Sequence, residues 1–308
     1  MNDRTQMLYH INNQQTTVML NFDPSSVPHR DLHQILLSGV APRPIAFVTS
    51  KDRNGNINLA PFSFFNAYAS KPPVVAIGPA ISAATGTTKD TYLNIMETQE
   101  CTISAVTYPM VQRMNIASAV YPHGTDEYDK AGFTKAPAMM VGVPYVSESP
   151  FVLECRLIRN IELFREDGGN GNIMLLRVLN IMVNENAMTE DKIDPRKLDL
   201  VARLGYKWYS HINADSLFEL GQPRGICAGF DALPESIKRS TILSANDIHI
   251  LAATETLPQP LSDEEAQLLF AALNIDFTNT GSVHTVLHTL LAGNRTDEAW
   301  HIIRAVNA

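Results

Sequence analysis

The stretch from Leu153 to Val183 constrains this chain most. Between Leu153 and Leu163 the odd positions Leu153, Cys155, Leu157, Ile161 and Leu163 are apolar, and only Arg159 breaks that set. The even positions Glu154, Arg156, Asn160 and Glu162 are polar, with Ile158 out of step. Alternation with period two is the mark of a strand that buries one face. The cluster Asp167-Gly168-Gly169-Asn170-Gly171-Asn172 then turns the chain into a second apolar run, Ile173 to Val183. A long antiparallel hairpin follows from that pattern. The glycines are read as a turn and not as a phosphate cradle, because they join two strands and no helix start follows them.

The rest of the first two hundred residues reads in the same way. Ile45 to Thr49 is an apolar strand, and Asp52-Arg53-Asn54-Gly55 is a hairpin turn in which Asn and Gly accept positive φ. Pro72-Pro73 precedes a strand over Val74 to Ile77. A short helix over Thr91 to Thr98 leads into a strand over Cys101 to Val106, and Met110 to Ala119 is helical. Strands arranged as hairpins with few helices favour a barrel over a parallel sheet. No G-x-G-x-x-G follows a strand and no Walker-type loop is present, which argues against a Rossmann or P-loop domain.

Three segments are expected. Residues 1–30 are polar, carry an Asp23-Pro24-Ser25-Ser26 turn, and read as an arm. Residues 31–212 form the β-rich domain. Residues 213–308 form a helical extension, with one helical stretch over Leu233 to Pro258 and another over Leu261 to Asn274. Ser262-Asp263-Glu264-Glu265 is a capping box for the second stretch, and shorter helices follow at Val283 to Ala292 and Asp297 to Val306.

Composition narrows the function classes. Of 308 residues, 45% are hydrophobic and 18% charged, enough apolar material for a real core. No apolar run approaches the roughly 18–20 residues that span a bilayer, and the N-terminus has no apolar leader segment. A net charge of −8 argues against nucleic acid and anionic membranes as partners. Cys101, Cys155 and Cys227 are dispersed and odd in number, which suits buried thiols in a reducing, cytoplasmic setting.

Two stretches carry candidate chemistry. In Thr85 to Thr91 (TGTTKDT), hydroxyls and Lys89 sit at a predicted helix start, where unpaired N–H groups and the dipole attract phosphate. An ordinary capped helix, with Thr88 as cap and Lys89 in solvent, accounts for the same residues. In Pro42 to Asn66, strand ends with Thr49, Ser50 and Asn58 offer a polar edge, and Phe62, Phe64 and Phe65 offer a wall. Together the two stretches suit a flat, phosphorylated, hydrogen-bonding ligand, of which flavin mononucleotide (FMN) fits best. The plainer reading is that the aromatics are core.

PRPIAFVTS at Pro42 to Ser50, NLAPFSFFNA at Asn58 to Ala67, KDTYLNI at Lys89 to Ile95 and DEYDKAGFT at Asp126 to Thr134 resemble the flavin reductase-like family of FMN-binding split-barrel proteins. ARLGYKWYS at Ala202 to Ser210 is similar to the family's closing segment. The resemblance covers about Asp31 to His211. It implies a split β-barrel of six antiparallel strands, Greek-key in type, that forms a homodimer with FMN near the subunit interface. It also implies hydride transfer from NADH or NADPH to flavin and onward to an acceptor such as a partner monooxygenase.

On the same resemblance, Thr49 and Ser50 contact the ring or ribityl region, and Asn58, Leu59 and Ala60 line the ring edge. Ser63 and Asn66 lie near the ribityl–phosphate end, and Thr88, Lys89 and Thr91 hold the phosphate. Many relatives carry an arginine ahead of the KDT segment, and this chain has only Lys89 there. A flavin-binding electron carrier or sensor without efficient NAD(P)H activity is the alternative. No catalytic acid or base is expected, since the cofactor performs the hard step.

Other residues have simpler readings. His284 and His288 have the i, i+4 spacing of a metal pair but lack a neighbouring glutamate, so no metal is expected. His123 is read as a structural loop residue, and Asp126, Glu127 and Asp129 as a solvated helix start. Tyr206, Trp208 and Tyr209 either cover a flavin from a partner subunit or pack a dimer.

Overall fold

A computed structural model describes residues 19–81, 86–163 and 171–307. The chain divides into two compact units, Met1–Leu217 and Phe218–Ala308. In the first unit α1 (His29–Gly39) leads into β1 (Ala46–Lys51), β2 (Ile57–Phe62), β3 (Phe65–Ser70) and β4 (Pro73–Ile77). Then come α2 (Asp90–Thr98), β5 (Glu100–Ala105), α3 (Val111–Ala117), α4 (Glu127–Ala131) and the short strands β6 (Lys135–Ala136) and β7 (Tyr145–Val146). The long β8 (Phe151–Leu163) and β9 (Gly171–Val183) follow. Two small hairpins close the unit, β10 (Met188–Thr189) with β11 (Lys192–Ile193) and β12 (Leu200–Arg203) with β13 (Tyr209–Ile212).

The main sheet is antiparallel and has seven strands in the order β2-β1-β5-β8-β9-β4-β3. The expected count was six. The additional strand is β3 (FNAYAS), whose side chains are nearly all exposed, so it buries no face that a sequence pattern could reveal. The two edge strands, β2 and β3, are consecutive in sequence with only Ser63 and Phe64 between them. At roughly 3.3–3.6 Å per residue, that connection cannot span a flat seven-stranded sheet. The sheet therefore curls until its edges meet at this corner, although no ladder joins β2 to β3 among the described residues.

β1 is buried on both faces, which explains its near-continuous apolar run. Ala46 and Val48 enter one core with Ile95 of α2 and with Ile103, Leu153 and Met174 of the sheet. Ile45 and Phe47 face the opposite core with Leu59, Met114 of α3 and Tyr128 of α4. Each such large apolar side chain contributes about 1.5–3 kcal/mol on full burial. β1 and β2 are thus held between α2 on one side and α3 with α4 on the other.

Irregularities in the ladders account for the breaks in the sequence pattern. Leu157 pairs with Leu176 and Arg159 with Leu175, so Ile158 is an extra residue on β8. That bulge shifts the register by one, the reason Ile158 and Arg159 depart from alternation. Tyr68 is likewise the extra residue of β3 against β4. Pro61 sits on edge strand β2, where a missing N–H is tolerated. The residues 164–170 of the expected glycine turn lie outside the described residues. Glu154, expected on a solvent face, is fully buried and accepts N–H groups from Met139, Met140, Val141 and Asn180.

Residues 1–18 of the expected arm lie outside the described residues, and its end is already helical, since α1 begins at His29. The second unit contains α5 (Glu235–Lys238), α6 (Ala245–Ala252), α7 (Asp263–Leu273), α8 (Thr280–Ala292) and α9 (Thr296–Asn307). The helical stretch expected over Leu233 to Pro258 is interrupted, because Ser244 and Asp247 form a capping box that starts α6 afresh. The Ser262–Glu265 box opens α7 as read from the sequence. Leu251, Leu287, Leu290 and Ile302 form a separate core, so this unit buries its own apolar faces.

Candidate functional site

The polar cleft of the first unit lies along the outer edge of β2. It has a volume of about 320 Å³ and is lined by Asn58, Ala60, Pro61 and Phe62 of β2 and by Thr87 to Thr91 at the start of α2. Ala117 to Tyr121, His123 and Glu127 complete its wall. The sheet's pleat decides which side chains reach it. Asn58 pairs with Ser50 and Leu59 with Thr49, so neighbouring residues of both strands point to opposite faces.

The start of α2 suits an anion. Lys89 is its N-cap residue, in extended backbone, and no side chain caps the helix, whereas Asp126, Ser244, Ser262 and Asn279 cap α4, α6, α7 and α8. The expected capping role of Thr88 is therefore not taken up. Tyr92 and Leu93 donate to the Lys89 carbonyl, and the Asp90 and Thr91 amides, the other donors of the first turn, have no partner among the described residues. Lys89 is exposed at the cleft and has no carboxylate partner among the described residues. The residues 82–85, including Thr85 of the predicted phosphate segment, lie outside the described residues.

Two buried hydrogen bonds underlie the cleft. The buried Thr91 hydroxyl donates to Asn58 Oδ1 at 2.7 Å. Glu127 lies beside this pair, and its Oε2 accepts the Leu59 N–H at 2.8 Å. Glu127 is only 7% exposed. Burial pushes its carboxyl above the ordinary range, against the Leu59 N–H and the nearby Asn58 amide, which favour the charged form. The expected solvated helix start is thus corrected at Glu127. Asp126 does cap α4 by accepting the Tyr128 N–H, and it pairs with Lys135.

Asn58, Ala60, Thr88, Lys89 and Thr91 of the predicted set come together at this cleft. Ser63 and Asn66 do not: they line a larger cleft of about 790 Å³ with Phe64, Phe65 and Tyr68. Ser63 accepts a long 3.4 Å bond from buried Arg43, and Asn66 accepts the N–H of Ala67. The side chains of Thr49, Ser50 and Leu59 face the interior. Thr49 shares a 2.7 Å hydrogen bond with Tyr128, and Ser50 accepts from Asn94 at 3.1 Å. Both hydroxyls therefore serve the core and not the polar edge read from the sequence. Burial drives the Tyr128 phenol well above its usual range.

The remaining candidates resolve locally. His123 lies on the rim, with Nδ1 3.1 Å from Asp90 and Nε2 3.9 Å from Asp52. Buried His284 bonds Ser240 at 2.8 Å, and His288 bonds Asp247 at 2.8 Å. No metal-binding cluster occurs among the described residues. Trp208 is 72% exposed and Tyr206 is also exposed, while Tyr209 lies under the Arg203 guanidinium at 4.5 Å.

The model of the flavin reductase like domain matches residues 38–201, which is more than half of the chain. The chain belongs to that family. An uncharacterized protein of Deinococcus radiodurans is 36% identical over 210 residues, covering 66% of this chain and 89% of the relative. One from Halalkalibacterium halodurans is 32% identical over 206 residues, covering 66% and 97%. Among solved structures, nitrilotriacetate monooxygenase component B from Bacillus cereus superposes with a TM-score of 0.63 at 30% identity. It covers 67% of this chain and all of that one.

A split-barrel-domain protein of Shewanella frigidimarina superposes with a TM-score of 0.57 at 22% identity, covering 66% of this chain and all of its own, and shows the shared fold. Membership makes this an oxidoreductase-type domain of a flavin family. The family match ends before the second unit begins.

The site residues that the sequence reading missed are Glu127 and the Ala117–Tyr121 wall. An acid following a helix cap looks the same whether it faces water or a strand edge, so Glu127 carried no signal.

Proposed function

We propose that this protein is an FMN-dependent oxidoreductase of flavin reductase type, taking hydride from NADH or NADPH and delivering reducing equivalents to an acceptor. The observation that carries the reading is the convergence of Lys89, the Asp90 and Thr91 amides, Thr88 and Asn58 at one cleft. A phosphate finds a point charge and two aligned donors there. These residues fit FMN: Pro61 and Phe62 give the same cleft an apolar wall beside its polar floor. FMN, when bound, supplies the hydride acceptor at its N5 position.

The protein's own work is then to bind and orient. Lys89 and the α2 amides hold the phosphate end, and Asn58, held by Thr91, sets the polar edge of β2. No general acid is required of the chain. A homodimer is supported by the exposed Trp208 and Tyr206 of the closing segment and by exposed Ile158 and Ile181 on the sheet. The Bacillus cereus relative is itself component B of a monooxygenase, which supports a separate oxygenase as the acceptor here. Free Cys101, Cys155 and Cys227 support a reducing cytoplasmic setting, and no described helix is long and apolar enough to cross a membrane.

An absorbance spectrum of the purified full chain tests this. A yellow protein, or one that becomes yellow with added FMN, should be bleached stoichiometrically by NADH or NADPH without oxygen. Bleaching by dithionite alone would make it an electron carrier instead. A colourless protein that retains no FMN would end both readings.

A further inference from the structure

Glu127 is the one buried carboxylate in the wall of the polar cleft, and the proposed binding role makes no direct use of it. Its Oε2 is engaged by the Leu59 amide, and its neighbour Asn58 is tied to Thr91 at the helix start where the phosphate is read to sit. A negative carboxylate in the same cleft as a phosphate repels it, unless the carboxyl carries a proton.

The charged groups around it do not remove the conflict. On its own helix, Asp126 is paired with Lys135, and Asp129 and Lys130 are exposed. α2 contributes Lys89 and Asp90, and the loop after α3 contributes His123, which is held by Asp90. α3 contributes Arg113, paired with Glu148. β2 brings only amides, and β1 only the Thr49–Tyr128 pair. Among these groups Lys89 is the cation without a carboxylate partner, among the described residues, that also lines the cleft with Glu127.

We infer that binding an anionic group beside Lys89 drives Glu127 from carboxylate to carboxylic acid, so that one proton is taken up from solvent for each FMN bound. This rests on the reading of the cleft as the FMN phosphate site. The proton goes to the carboxyl oxygen not held by Leu59, no bond to the ligand forms, and no electron moves. The linkage has a definite sign. FMN affinity falls with rising pH, by at most about tenfold per pH unit for one proton. A phosphate monoester's own second ionisation, at about pH 6, acts in the opposite direction, because the dianion suits Lys89 better. The two effects therefore separate above that value.

The experiment is FMN titration of the full-length protein by calorimetry at about pH 7.5, in two buffers of different ionisation enthalpy. Wild type should take up protons, toward one per FMN, and Glu127→Gln should take up almost none. Glu127→Gln should also bind FMN more tightly at about pH 8, on the order of tenfold, and lose the fall in affinity with pH. Riboflavin, which lacks the phosphate, should show no uptake with either protein. Equal uptake by both proteins, or no uptake by wild type, overturns the inference. The wild-type measurement stands even if the variant fails to fold. Lys89→Ala separates the two levels: if FMN affinity is unchanged in that variant, the phosphate-site reading falls and this inference with it. If Lys89→Ala weakens FMN while Glu127→Gln behaves as wild type, the inference alone falls.

Discussion

Replacing Thr91 by valine tests the geometry of the cleft where it departs most from the sequence reading. On residue type alone, the Thr91 hydroxyl is a phosphate ligand. In the structure its single proton goes to Asn58 Oδ1 at 2.7 Å. Thr91 is 1% exposed and Asn58 9%. Valine keeps the shape but leaves Asn58 Oδ1 buried without its donor, which costs about 1–3 kcal/mol. For a unit of this size that is about 2–12 °C in melting temperature.

The phosphate would keep the Thr91 backbone amide, so FMN affinity should stay within about threefold of wild type. If the hydroxyl instead held the phosphate, losing a charge-assisted bond of about 1.5–3 kcal/mol would weaken FMN by about tenfold or more. The assay pairs thermal melting with titration of flavin fluorescence, and Thr91→Ser serves as the control that keeps the hydroxyl. An unchanged melting temperature, or a tenfold loss of affinity in valine but not in serine, would refute the argument.

Lys89→Ala should weaken FMN by about tenfold and leave riboflavin affinity unchanged, with a smaller dependence on salt than wild type. Competition titrations at low and moderate ionic strength check this. In the second unit, burial holds His284 below its ordinary value of 6.5. The unfolded chain therefore binds more protons there, and the stability that neutral His284 provides is present above 6.5 and lost as pH falls through its folded value. The second unit should melt lower at pH 5 than at pH 7, with a shallower slope in His284→Gln. Leu287→Ala removes a fully buried side chain from the second core and should cost about 2–5 kcal/mol, read by urea unfolding of the full chain.

Periodicity and turn chemistry carried much of this fold in plain view. The β8–β9 pair, the Asn54-Gly55 turn and the Ser262 capping box are local signals, and local signals survive in a sequence. β3 was hidden because an edge strand with nearly every side chain exposed has no buried face to alternate against. The break before α6 was hidden because Ser244 and Asp247 sit inside an otherwise continuous helical composition. For the site, Lys89 and Asn58 were legible as polar residues at element ends. Thr49 and Ser50 looked equivalent to them, but the pairing register turns both hydroxyls inward, toward Tyr128 and Asn94. That choice depends on partners dozens of residues away, which no local pattern encodes. Glu127 and Glu154 show the same limit, since burial of an acid is decided by the amides that meet it.

The two ends of the main sheet also bear on how the protein behaves at high concentration. An unpaired strand edge is a template for another chain. On β2, Pro61 offers no donor and the Leu59 amide is already taken by Glu127. On β3, the bulge at Tyr68 disrupts the regular spacing that an incoming strand would need. Neither edge offers another strand a regular run of donors and acceptors. Pro61 and Glu127, which line the cleft, thus also blunt the β2 edge as a template for a second copy.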